Sequence, residues 1–121
     1  MDRYLWVAFG SALGGMARFW LTQMGNVWWG AFPWGTLLIN LLGSSLIGAF
    51  FGFGTALSPS MRLFLMTGVC GGFTTFSAFS LQNLVLIERG EIVSALGYMI
   101  ASVGLCLFGC WVGYAAATNH L

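Results

Sequence analysis

Apolar residues run almost unbroken through this chain, and the rare charges mark where the runs stop. Between Arg18 and Arg62 lie 43 residues, 19–61, without a charge. One crossing of a hydrocarbon core needs ~20 apolar residues, so this run holds more than one. Residues 63–87 give a second uncharged run and residues 92–119 a third. None shows the strict alternation over ~10 residues that a transmembrane strand requires. The pattern predicts four helices, at residues 4–23, 34–57, 61–87 and 92–117. Gly25, Asn26, Gly30 and Pro33 separate the first two, and Ser58-Pro59-Ser60 the next. Glu88-Arg89-Gly90-Glu91 separates the last pair. The third helix carries Gly71-Gly72 and Thr74-Thr75 at its middle. Two glycines and two β-branched hydroxyl residues favour a break there. A break inside a bilayer frees carbonyls, which must line a cavity or bind something.

Composition narrows the class. Charged residues are 6% of the 121, where a soluble domain carries about 25%. Seven charges cannot cover a soluble surface, and 59% hydrophobic residues exclude disorder. The expectation is an all-α membrane protein made of one four-helix transmembrane domain, residues 1–121. A cleaved signal peptide is a poor reading of the first helix, since no soluble mature chain follows. A net charge of +1 provides no basic face, so no nucleic-acid partner is expected. Cys70, Cys106 and Cys110 form no CxxC pair and read as small buried hydrophobes. Trp28, Trp29 and Trp34 crowd the first loop, where an aromatic belt would lie.

Charge placement bears on orientation. Arg3 and Arg62 fall on one side of a four-helix topology, and Arg18 and Arg89 on the other. Orientation follows Lys/Arg excess on the cytoplasmic side, and a two-against-two count supplies none. Dual insertion and antiparallel pairing of two copies follow as an expectation. Small residues recur at four-residue spacing: Gly10 and Gly14, then Ser44, Gly48 and Gly52, then Gly109 and Gly113. Such stripes let helices approach closely in lipid. Packing within one chain accounts for most of them, yet four short helices enclose little, so an oligomer is expected.

Chemistry must come from neutral groups. Asp2, Glu88 and Glu91 are the only acids, all at span ends. A small multidrug-type coupled exporter, the main alternative, needs an acid embedded in its first helix, and none is present. No nucleophile–base constellation supports an enzyme. Asn40 lies within the second helix, either as a helix–helix hydrogen bond or as an amide donor to an anion. Ser94, Tyr98, Ser102, Cys106 and Cys110 follow one another at four-residue spacing near one face of the fourth helix. They either back-bond to their own helix or line a path. Phe76 and Phe79 share a face after the break. They either pack or turn their positive ring edges to an anion.

The run Gly35-Thr36-Leu37-Leu38-Ile39-Asn40-Leu41-Leu42-Gly43 and the run Gly71 to Ser80 resemble the Fluc (CrcB) fluoride channels. Arg18 after Gly14-Gly15 is similar to that family's first helix. The resemblance covers essentially the whole chain. It implies a passive fluoride channel of a bacterial inner membrane, conferring resistance to fluoride. It further implies an antiparallel dual-topology homodimer with two pores, embedded in lipid. Asn40, Phe76, Phe79 and Ser77 would belong to the fluoride pore, with Tyr98, Ser102 and Cys106 as its fourth-helix track. Arg18 would sit near a vestibule. A structural sodium ion at the dimer interface would take carbonyls of Gly71 and Thr74. Ala78 and Cys106 depart from the family, which usually carries a hydroxyl at the first position and often serine at the second.

Overall fold

The computed structural model describes residues 2–28 and 32–119, which are helical apart from short connections and the extended pair Thr74 and Thr75. The helices are α1 (Arg3–Trp28), α2 (Trp34–Gly52), α3 (Pro59–Arg62), α4 (Gly71–Phe73), α5 (Phe76–Glu88) and α6 (Ile92–Asn119). A π-helical stretch, Leu63–Cys70, joins α3 to α4. Three segments are long and apolar enough to cross a membrane: Trp34–Gly52, Pro59–Glu88 and Ile92–Asn119. α1 has 26 residues, length enough, but carries Arg18 and several other polar positions. Trp29, Gly30 and His120 lie outside the described residues.

Pro33, Ser58-Pro59-Ser60 and the Glu88–Glu91 turn bound the helices as the sequence suggests, whereas the C-terminal ends of α1 and α2 differ from it. α1 continues through Gly25 and Asn26 to Trp28. A glycine costs a helix only about 1 kcal/mol against alanine, so these two residues are absorbed. α2 stops at Gly52, five residues before the expected end. The cause is Gly54, which adopts φ +58°. A left-handed glycine just past a helix end closes it, and a 3₁₀ turn, Gly54–Ala56, follows. The third crossing starts on Ser58, whose side chain accepts the Met61 N–H at 3.2 Å, with Pro59 at the first helical position.

The break in the third crossing comes two residues later than the glycine pair. Gly71 and Gly72 stay helical, and Thr74 and Thr75 are the extended residues, at ψ 154° and 120°. The threonine hydroxyls compete with the helix on both sides. Thr74 Oγ1 donates to the Cys70 carbonyl at 3.0 Å, and Thr75 Oγ1 accepts the Ala78 N–H at 3.1 Å, starting α5. Gly72 serves packing instead: a Cβ there would lie 2.5 Å from the Ser11 carbonyl of α1.

The crossings pair in parallel, first with third and second with fourth. Gly10 sits against Phe64 and Gly68, and Gly14 against Val69 and Phe73. Gly109 sits against Leu41 and Ser45, Gly48 against Cys110, and Gly52 against Tyr114 and Ala117. An up-down chain makes alternate helices parallel, and glycine lets their backbones touch. The glycines of the small-residue stripes are thus spent inside the subunit, while Ser44 faces a cavity. A small cluster of Leu37, Leu86, Ala95 and Tyr98 joins α2, α5 and α6.

Candidate functional site

α2, the break and α6 enclose a partly open cavity of about 300 Å³. α2 contributes Asn40, Gly43, Ser44 and Ile47. The break contributes Cys70, Gly71, Thr74 and Thr75, and α5 adds Phe76 and Phe79. α6 contributes Ser102, Val103 and Cys106. Of the residues that the family resemblance assigns to the pore, the vestibule or the sodium site, seven meet here: Asn40, Gly71, Thr74, Phe76, Phe79, Ser102 and Cys106. Gly43 makes the approach feasible, because a Cβ there would strike the Thr74 side chain.

Asn40 ties the break to α2. Its Oδ1 accepts the Thr75 N–H at 2.9 Å, and its Nδ2 donates to the Thr75 carbonyl at 3.2 Å. The amide therefore pairs with Thr75 as a neighbouring strand would, meeting the backbone groups that the break exposes. One N–H of Nδ2 is left over for the cavity. The pairing also has a consequence for Gly71. Its carbonyl would bond the Thr75 N–H in a continuous helix, and that donor now belongs to Asn40.

Ser102 is buried, and its Oγ has no hydrogen-bond partner among the described residues. A buried hydroxyl without a partner costs about 1–3 kcal/mol, and this one borders the cavity. Cys106 lies one turn further along α6 on the same wall.

The aromatic rings form a ladder leading away from the cavity. Phe76 and Phe79 have centroids 5.4 Å apart, Phe79 and Tyr98 are 5.0 Å apart, and Tyr98 and Phe32 5.6 Å. Phe76 is 77% exposed, whereas Tyr98 is fully buried. Tyr98 thus sits behind Phe79 and outside the cavity wall. Its hydroxyl donates to Gln82 Oε1 at 2.7 Å, and Gln82 Nε2 donates to Thr36 Oγ1 at 2.8 Å. This three-residue chain links α6, α5 and α2.

Two further sequence candidates, besides Tyr98, stay apart from the cavity wall. Ser77 is exposed, its Oγ 3.2 Å from Thr75 Oγ1 at the start of α5. Arg18 is half-buried on α1, which packs against the third crossing. Sequence reasoning did not single out Gln82 or Asn83. Asn83 is buried, donates from Nδ2 to the Phe79 carbonyl at 2.9 Å, and leaves Oδ1 without a partner among the described residues. The available signal was the same as for Asn40: an amide within an apolar span needs partners.

The cavity is lined by two phenylalanine rings, the Asn40 amide and the unpaired Ser102 hydroxyl, and no carboxylate stands among its lining residues. Such a wall suits an anion and has nothing to carry a proton.

The family described as CrcB-like protein, Camphor Resistance (CrcB), matches residues 5–114 of the chain. The chain is 52% identical over 121 residues to the fluoride-specific ion channel FluC of Methylocella silvestris, covering 94% of this chain and 92% of that protein. It is 47% identical over 124 residues to FluC of Paramagnetospirillum magneticum, covering 98% and 97%. Against FluC of Rhizobium meliloti it is 46% identical over 122 residues, covering 95% of each.

Proposed function

The chain belongs to the CrcB family, and on that premise we propose that it is a fluoride-specific ion channel, not an enzyme, acting as a multi-pass protein of the bacterial inner membrane. The cavity carries the reading: a narrow apolar space with hydrogen-bond donors and aromatic rings, and no acid to couple transport to protons. Fluoride is small and strongly hydrated. It enters such a space only if donors replace its water, as the spare Asn40 N–H and the Ser102 hydroxyl can. Phe76 and Phe79 line the same wall, and an aromatic ring offers an anion its positively polarised edge. Asn40 also keeps the break in place through Thr75, so that the rings of α5 hold their position.

Weak-acid chemistry supplies the need for such a pore. Hydrogen fluoride crosses a bilayer as a neutral molecule and ionises in a more neutral cytoplasm, where the anion is trapped. A negative-inside potential drives each anion outward with ~2.3 kcal/mol per 100 mV. Neither ATP nor a proton gradient is required.

The functional unit we infer is an antiparallel homodimer with two pores. The cavity is partly open, and two of its lining residues, Phe76 and Val103, are 77% and 58% exposed. A second copy would close it, and balanced arginines permit both orientations. A structural sodium ion between the copies fits the donor set present. The Gly71 carbonyl has lost its helical donor to Asn40, and a Cβ at Gly71 would meet nothing closer than 3.8 Å. Carbonyls of Gly71 and Thr74 from two copies would hold a hard cation, fixing the breaks against each other.

The test is fluoride efflux from liposomes holding the purified protein at equal internal and external pH. Efflux that needs only a potassium ionophore to balance charge supports the channel. Efflux that requires an imposed proton gradient would move the protein to the coupled exporters.

A further inference from the structure

A second cleft, of about 540 Å³, lies where α1 and the third crossing begin. Arg3 and Arg62 line it together with Phe51, Leu63 and Met66. We propose that this cleft binds an anionic phospholipid, its phosphate held between the two guanidiniums and an acyl chain laid along the apolar wall.

The chain has four cationic side chains, and two of them, from distant parts of the sequence, meet in this one cleft. Asp2, beside Arg3 in the sequence, does not line the cleft, and its Oδ1 accepts the Tyr4 N–H at 3.3 Å. Arg62 is half-buried, and its Nη1 lies 3.5 Å from the Gly54 carbonyl, the residue whose positive φ ends α2. That contact aims one guanidinium and leaves most of its fork of donors free, a geometry matched to phosphate oxygens. Arg3 is exposed and brings the second charge.

Shape distinguishes the ligand from a free anion. Phe51 is 57% exposed and stacks on Tyr114 at 5.8 Å, while Leu63 and Met66 continue the wall down the third crossing. Inorganic phosphate would leave that wall uncovered. An amphiphile covers it while its headgroup stays at the membrane end, where basic pockets between helices take acidic lipids. Simple snorkelling of each arginine to the interface would not require both to border one apolar cleft. The site is separate from the fluoride cavity and shares no lining residue with it.

The test adds short-chain phosphatidylglycerol, short-chain phosphatidylcholine or sodium phosphate to the full chain in neutral detergent. Two readouts are taken, the unfolding midpoint and the lipid retained in native mass spectra. Phosphatidylglycerol should raise the midpoint and stay bound, and the other two should do neither. Arg3→Gln, at an exposed position that supports no packing, should cut retention by roughly tenfold, the change expected for losing about one charge-assisted contact. Arg62→Lys should retain part of the effect, and Arg89→Gln, at the other end of the molecule, all of it. Equal retention of phosphatidylcholine, or retention unchanged in Arg3→Gln, would overturn the proposal. A midpoint raised equally by sodium phosphate would assign the cleft to a free anion and overturn the lipid.

Discussion

Asn40 holds Thr75 at two points and keeps one N–H for the cavity, so its replacement should act on stability and transport together. Asn40→Leu keeps the bulk and orphans the Thr75 N–H and carbonyl. The expected outcome is a loss of about 1–3 kcal/mol in thermal unfolding and a large fall in fluoride flux. Ser102 should behave oppositely. Its hydroxyl is buried and unpaired, so Ser102→Ala removes a desolvated group and leaves stability unchanged or slightly higher. If that hydroxyl serves the ion, flux should fall by roughly tenfold, equivalent to ~1.4 kcal/mol. A fall in stability with normal flux would mean that the hydroxyl serves the fold. The two substitutions, measured by melting and by efflux per folded protein, separate a clamp from a donor.

At the scale of elements, the break and the glycine contacts decide the geometry. A Cβ on Gly48 would strike the Cys110 backbone of α6, which cannot yield as a side-chain tip can. Gly48→Ala should therefore lose at least ~1–3 kcal/mol, the range for overpacking. Gly15→Ala, where a Cβ meets nothing within 4 Å, should melt within a few degrees of the parent. Comparing the two melting curves checks the parallel pairing of α2 with α6. The existence of the helices was readable because uninterrupted apolar runs admit little else in a bilayer. The end of α2 was not, because a single left-handed glycine at Gly54 outranks five further apolar-compatible residues. The break was readable as a region, through its Gly and Thr pairs. Its exact place depended on Asn40, 35 residues away, capturing the Thr75 N–H. The π-helical stretch Leu63–Cys70 has no sequence mark, and glycines on both facing helices hold it against α1. The cavity residues were readable where spacing placed them on one helix face, as with Ser102 and Cys106. Gln82 escaped notice because its partners, Thr36 and Tyr98, come from two other helices.

The whole molecule joins two parallel helix pairs, with its cavity at the place where the third crossing is interrupted. Balanced arginines at the two ends leave insertion undecided. With a single cysteine at Ser60 and the native cysteines replaced, an impermeant thiol reagent on intact cells should label only a fraction of the protein. Permeabilisation should expose the remainder. Labelling confined to one side would end the dual-topology reading and with it the antiparallel dimer. The central claim is that fluoride passes the rings of Phe76 and Phe79. Its most direct test is fluoride efflux per folded protein for Phe76→Ile and Phe79→Ile. Each keeps apolar bulk and removes the ring edge, so packing alone would cost about 1–2 kcal/mol of stability and leave the flux of the folded fraction intact. The expected result is a stable protein with strongly reduced efflux, partly restored by methionine, whose polarisable sulfur can still face an anion. Normal efflux from both isoleucine variants would contradict the account.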